Sequence, residues 1–156
     1  MGSKNKFWLM KSEPETFSID DLANCKTTLW DGVRNYQARN FMLNDMQVGD
    51  DVLFYHSNAS PPGVAGLAKV HKKAVPDPSS FDKNSPYFDE KSTPDRPRWF
   101  CVELKFVKKL KNFVSLDLIK NQKKLAKMLL VQRGQRLSIQ PVTEAEFNLI
   151  CQLGTK

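Results

Sequence analysis

Trp30-Asp31-Gly32-Val33-Arg34-Asn35-Tyr36-Gln37-Ala38-Arg39-Asn40 is the most informative run in this chain. It is unusually dense in side chains that donate and accept planar hydrogen bonds. Asn35 stands where a helix from Tyr36 to about Asn44 needs a cap, with Ala38, Phe41 and Met42 at helical spacing. The run therefore reads as a loop that delivers polar groups and then enters a helix.

Upstream, Phe7-Trp8-Leu9-Met10 is an aromatic and apolar strand that ends in Lys11-Ser12-Glu13-Pro14, and Ser18 with Asp21 caps a short helix over Ile19 to Asn24. Downstream, Val48-Gly49-Asp50-Asp51 is turn chemistry before the β-rich Val52 to His56, and Pro61-Pro62-Gly63 turns the chain back into Val64 to Val70, a hairpin. Residues 76–98 carry five of the nine prolines and read as a long irregular loop, which Phe81, Tyr87 and Phe88 pack onto the body. Trp99 to Val107 alternates as a strand, with Phe100, Val102, Leu104 and Phe106 on one side. Leu116 to Val131 reads as a helix with lysines outward, Arg136 to Val142 as a closing strand, and Thr143 with Glu146 as the capping box of a last helix ending near Leu153. Six or so short strands mixed with short helices, without βαβ alternation, indicate an α+β fold built on a small β-barrel. The whole chain, 1–156, reads as one domain with its core at about 7–153.

A chain of 156 residues with 40% hydrophobic and 26% charged residues has room for a core without disulfides or metals. No apolar run approaches the roughly 20 residues needed to span a bilayer, so no membrane role is expected. Met1 to Lys6 lack the apolar run of a secretory leader, and Lys6 stands where a myristoylation motif wants Ser or Thr. Cys25, Cys101 and Cys151 are an odd set without a Cys-x-x-Cys pair, and read as buried, reduced, intracellular thiols. With only His56 and His71 beside them there is no metal-ligand spacing, so no metal and no cofactor is expected.

The net charge of +7 is unevenly placed. Residues 1–100 hold 13 Lys+Arg against 13 Asp+Glu, whereas residues 101–156 hold 11 against four. The excess gathers at Lys105, Lys108, Lys109 and Lys111, then at Lys120, Lys123, Lys124 and Lys127, then at Arg133 and Arg136. Such asymmetry suits a polyanion partner, and equally a lysine-rich face that does no more than keep the protein in solution.

Taken together, Trp8 to Pro14, Trp30 to Asn40, Phe54-Tyr55-His56-Ser57, Pro97-Arg98-Trp99 and Arg136-Leu137-Ser138-Ile139-Gln140-Pro141 resemble the EVE domain family, over nearly the whole chain. The resemblance implies a PUA-like β-barrel, related to the YTH domain, whose pocket accepts a nucleobase. It also implies the reading of modified bases, notably 5-methylcytosine and its oxidised forms in DNA. Carried over by motif, the pocket positions are Lys11, Ser12, Glu13, Trp30, Val33, Arg34, Asn35, Tyr55, His56, Ser57, Trp99 and Ser138.

These roles make physical sense. Extruding a base from a duplex costs a few kcal/mol, and stacking on aromatic faces returns about 1–3 kcal/mol per base. Trp30 and Trp99 are the expected faces and Trp8 is assigned to the core. Glu13, Asn35 and Ser12 are the expected partners of the base edge, and Val33 the niche for a methyl group. Lys108, Lys109, Lys123, Lys124, Lys127 and Arg133 are expected on phosphates, which position a strand without reading it. Simpler roles stand beside these: Asn35 as a helix cap, His56 as a satisfied histidine at a strand end, Arg34 as the ion-pair partner of Asp31 or Glu13, and Lys11 as the neutraliser of Glu13.

The expected partner is thus nucleic acid, DNA ahead of RNA, bound by a monomeric reader without catalysis. Two other binding functions compete: a reader of modified RNA and a sensor of a nucleoside-like small molecule. An enzyme using His56 with Ser57 or Glu13 is disfavoured, because neighbouring residues on a strand point to opposite faces. The compartment is the cytoplasm of a bacterium or the nucleus of a eukaryote.

Overall fold

The two continuous apolar runs that begin at Phe7 and Val52 lie side by side within a sheet. The structure, a computed structural model, describes residues 5–155; the readings made of residues 1–4 lie outside that range. Strand β1 (Phe7–Ser12) is parallel to β3 (Asp51–His56), with Phe7 opposite Asp51 and Ser12 opposite His56, and antiparallel to β6 (Ile139–Val142). β3 returns as β4 (Gly63–Pro76) and β4 as β5 (Phe100–Ser115), on whose outer edge lies the short β2 (Thr27–Leu29). The order is β2-β5-β4-β3-β1-β6.

Because side chains alternate along a strand, this sheet has two apolar faces, and both are covered. Trp8, Met10, Val52 and Phe54 pack with Ile19 and Leu22 of helix α1 (Ile19–Cys25) and with Ala38 of α2 (Tyr36–Asn40). Leu9, Leu53 and Tyr55 pack with Ile119 of α3 (Leu116–Lys120) and with Phe147 and Ile150 of α4 (Glu144–Thr155). Each such fully buried aliphatic or aromatic side chain contributes about 1.5–3 kcal/mol. Trp8 belongs to this core, and its indole N–H donates to the buried Asp50 carboxylate at 3.0 Å.

The helix starts follow the caps read from the sequence. Ser18 and Asp21 form a reciprocal capping box, the Asn35 side chain accepts from the Ala38 amide at 2.9 Å, and Thr143 and Glu146 exchange bonds at the start of α4. α2 is shorter than expected and passes into a π-helical turn over Phe41–Asp45.

Four expectations are corrected. The sheet is not closed into a barrel: β2 and β6 are its free edges, only three and four residues long, and among the described residues they do not pair. Residues 116–131 are not one helix but α3 followed by 3-10 turns at Lys123–Leu125 and Leu129–Val131. The reason is packing, since Ile119, Leu125, Met128 and Leu130 are all buried at spacings no continuous helix brings to one face. β5 runs on through Lys108 to Ser115, where shifts of register against β4 break the alternation that sequence reading depends on. Finally, Cys25 is exposed at the end of α1, while Cys101 is buried. No helix among the described residues is long and apolar enough to cross a membrane.

Candidate functional site

One buried carboxylate ties two segments together that are far apart in sequence. Asp77, 1% exposed, accepts from the Gly32 amide at 2.9 Å, from Arg34 Nη1 at 3.0 Å, and from the Ser79 amide and hydroxyl at 2.8 and 2.6 Å. Burial opposes its charge, but these donors outweigh burial and hold its pKa below the ordinary carboxylate range. Arg34 in turn donates to the carbonyl oxygen of Val33 and, through Nε and Nη2, to that of Tyr87. The irregular segment 77–98 is thereby fastened over the turn that follows Trp30. Gly32 is needed at the contact. Its φ is +79°, and a Cβ there would lie 2.8 Å from the Tyr87 ring.

Between this clamp and the ends of the central strands lies a cavity of about 670 Å³, within the roughly 300–1,000 Å³ usual for ligand sites. Thr28 and Leu29 of edge strand β2 and Ser138, just before edge strand β6, line the same space, so the sheet stays open where the cavity lies. Its rim is drawn together by main-chain bonds from the Lys11 amide to the Ser138 carbonyl and from the Ser57 amide to the Ser12 carbonyl, both 2.9 Å. Trp30 supplies the large apolar surface, held edge-on to Phe54 at 5.5 Å and 89°. Phe17, Leu29 and Val33 add to it, while Ser12, Glu13, Asp31, Arg34 and Arg136 bring polar and charged groups.

The charges here are perturbed. Burial, and then the nearby charge of Asp77, push the Asp31 carboxyl up, while its backbone hydrogen bond and Arg34 pull it back. Burial lowers the Lys11 ammonium. Ser12 Oγ donates to the Phe17 carbonyl at 2.6 Å, leaving its oxygen free to accept, and Glu13 accepts from the Asn58 side chain. An aromatic wall with acceptors and donors at its edge is suited to a flat heterocycle.

Of the twelve pocket positions expected from the sequence, Lys11, Ser12, Glu13, Trp30, Val33, Arg34, Ser57 and Ser138 line this cavity. The remaining four lie outside its lining. Asn35 caps α2. Tyr55 is buried under the opposite face of the sheet. His56 accepts from the Ile19 amide through Nε2 at 3.1 Å, and burial lowers its pKa. Trp99 lies beneath Tyr36, ring centroids 4.8 Å apart at 19°, with its indole N–H on Asp89 at 2.7 Å. The aromatic residue that segment 77–98 contributes to the lining is instead Tyr87. Arg34 pairs with Asp77 rather than with Asp31 or Glu13, and Lys11 is 5.9 Å from the Tyr55 ring centroid.

Sequence reading missed Phe17, Thr28, Leu29, Asp31, Tyr87, Gln135 and Arg136. Asp31 sits inside the most informative run and Arg136 inside the closing motif, so position could have flagged both; nothing in the sequence flags Thr28. The expected phosphate residues Lys108, Lys109, Lys123, Lys124, Lys127 and Arg133 are exposed and none lines the cavity. Lys109 pairs with Asp20 at 3.0 Å.

The mixed α+β fold, with a six-stranded sheet held open around an aromatic, polar-rimmed cavity, is of the PUA-like class. The chain belongs to the EVE domain family, whose sequence profile matches residues 6–153. Human thymocyte nuclear protein 1 is 47% identical, the match covering 96% of this chain and 74% of that protein. A crystal structure of human THYN1 in complex with DNA containing 5-methylcytosine superposes with a TM-score of 0.90 at 44% identity, covering 97% of this chain and 99% of that one. A protein from Pseudomonas syringae gives a TM-score of 0.90 at 46% identity, covering 94% and 98%.

Proposed function

We propose that this protein is a non-catalytic reader that takes one modified base of DNA, 5-methylcytosine or an oxidised derivative, out of its strand and into the cavity. The observation that carries the reading is the cavity itself, with the Trp30 indole on its wall and carboxylates at its rim, in a chain this similar to one crystallised with 5-methylcytosine DNA. Stacking returns about 1–3 kcal/mol per base against an extrusion cost of a few kcal/mol, so edge contacts and phosphates supply the rest. Glu13 and Asp31 are placed to accept from the exocyclic amine of cytosine, the pairing carboxylates favour. Val33 offers the 5-methyl group an apolar neighbour. Lys108, Lys109, Lys123, Lys124, Lys127 and Arg133, with Arg136 at the cavity, hold the phosphates, Lys109 exchanging Asp20 for one of them. His56 and Ser57 do not form a catalytic pair in this reading, because the His56 lone pair is occupied by the Ile19 amide. The protein acts as a monomer and as one domain, in the nucleus where the source is eukaryotic.

The test is a titration, at several stated salt concentrations, of oligonucleotides differing only in cytosine, 5-methylcytosine or 5-hydroxymethylcytosine, with matching RNA as competitor. The modified DNA binds most tightly, and Trp30→Ala or Glu13→Gln reduces the preference. Trp30→Ala removes a buried indole, so Glu13→Gln, at an exposed position, is the variant that keeps the test independent of folding. Equal affinity for all three DNAs, or stronger competition by modified RNA, overturns the proposal.

A further inference from the structure

Beside the cavity stands a second aromatic surface that the reading above does not use. Tyr36 opens α2 and is 51% exposed, although its ring is stacked on Trp99. The Arg39 guanidinium lies 4.7 Å from the Tyr36 ring centroid and 6.0 Å from that of Trp99, with the rings themselves 4.8 Å apart. The cation is thus within reach of both rings, and half of the Tyr36 surface is left to solvent. Arg39 is held by Asn40 Oδ1 at 2.8 and 3.1 Å and by the Arg98 carbonyl at 2.8 Å. All of these acceptors are neutral, so its charge is not cancelled by them. Asp89, the carboxylate next to Trp99, is engaged by the indole N–H and by the Lys91 amide.

The stack is continuous with the cavity wall. Arg34, which lines the cavity, has its guanidinium carbon 5.1 Å from the Trp99 ring centroid and 5.7 Å from that of Tyr87. Two steps, 5.1 Å from Arg34 to the Trp99 ring and 4.8 Å from that ring to Tyr36, thus connect the cavity lining to the Tyr36 ring. A stack of Trp99 and Tyr36 that ends in an open, rigidly backed aromatic face, flanked by an uncancelled arginine, is the arrangement that receives an unstacked base of a single strand.

We infer that Tyr36 is a second stacking site, which takes the base adjoining the one in the cavity, with Arg39 directed to the phosphate between them. This rests on the base-in-cavity reading for its register along the strand, and the experiment separates the two. A single-stranded oligonucleotide carrying 5-methylcytosine, with 2-aminopurine at one or the other neighbouring position, is titrated against the full chain. Binding quenches the fluorescence at one of the two neighbours. Tyr36→Ala abolishes the quench and weakens binding about 5- to 150-fold, the equivalent of one stacked base. Tyr36→Phe, which keeps the ring, restores both, and Arg39→Gln lowers the salt slope by about one. Unchanged quenching and affinity in Tyr36→Ala overturn the inference, with thermal melting used to verify that the variant is folded. If Tyr36→Ala loses quench and affinity while the wild type treats cytosine and 5-methylcytosine alike, the platform stands and the cavity reading falls. If the wild type discriminates and Tyr36→Ala changes nothing, the reverse holds.

Discussion

Gly32→Ala places a methyl group where the ring of Tyr87 already lies. The new Cβ would stand 2.8 Å from one ring carbon and 2.9 Å from two others, against an optimum of about 3.5–4.0 Å between carbons. The backbone at φ +79° adds about 1–2 kcal/mol for any residue with a Cβ. Tyr87 is 39% exposed, so its ring has space to swing outward and relieve the contact. The stability loss is therefore the backbone cost alone, about 1–2 kcal/mol, or a Tm lower by about 2–8 °C at this chain length. The displaced ring no longer walls the cavity. With the stacking of Tyr87 on the ligand lost, affinity for the 5-methylcytosine oligonucleotide falls about 5- to 150-fold. The assay is a double-mutant cycle read by titration and thermal melting, with Gly32→Ala, Tyr87→Ala and the pair. In the pair the methyl group meets no ring, so the double variant binds as Tyr87→Ala binds alone. Losses that add, or Gly32→Ala binding like the wild type at a reduced Tm, refute the reasoning.

Asp77→Asn retains the shape of the clamp but removes the charge that faces Arg34; with its hydrogen bonds to a charged partner worth about 1.5–3 kcal/mol, urea midpoints fall by a corresponding amount. Because the folded pKa of Asp77 is depressed, its contribution is complete above about pH 4 and is lost as pH falls through the folded value. Urea titrations between pH 5 and 3 will show that acid-dependent loss in the wild type and a flatter dependence in Asp77→Asn. For His56 the folded pKa is lowered, first by burial, which favours the neutral ring that accepts from the Ile19 amide. Its contribution is complete above about pH 6.5 and declines as pH falls below it. His56→Gln, which retains an acceptor without a titration, removes that decline; an identical pH dependence in the variant refutes the assignment.

What could be read in advance was what is local. Ser18 with Asp21, Asn35, and Thr143 with Glu146 start their helices as expected, because a cap is satisfied within three residues of itself. The central strands were legible because burial of both faces of β1 and β3 leaves each a short continuous apolar run rich in aromatic residues. β2 has only three residues and owes its conformation to pairing with β5, and residues 116–131 break where separate apolar side chains each reach the sheet. At the site, Lys11, Ser12 and Glu13 after β1 and Val33 and Arg34 after Trp30 line the cavity, while Tyr55, His56 and Asn35 from the same motifs do not. Trp99 was expected at the cavity where Tyr87 stands, since how the proline-rich loop docks depends on Asp77 meeting Gly32 and Arg34 from more than forty residues away.

The sequence by itself determined the family, the α+β class, the three capped helix starts and the concentration of positive charge after residue 100, all of them properties of short runs or of simple counts. Only the tertiary structure decided that the sheet stays open at its two short edges, that the gap becomes a cavity walled by Trp30 and Tyr87, and that Trp99 backs an exposed Tyr36 instead. Closure of a sheet and the docking of a long loop are decided by contacts between distant segments, and a run of residues carries no record of which distant partner will fill its open side.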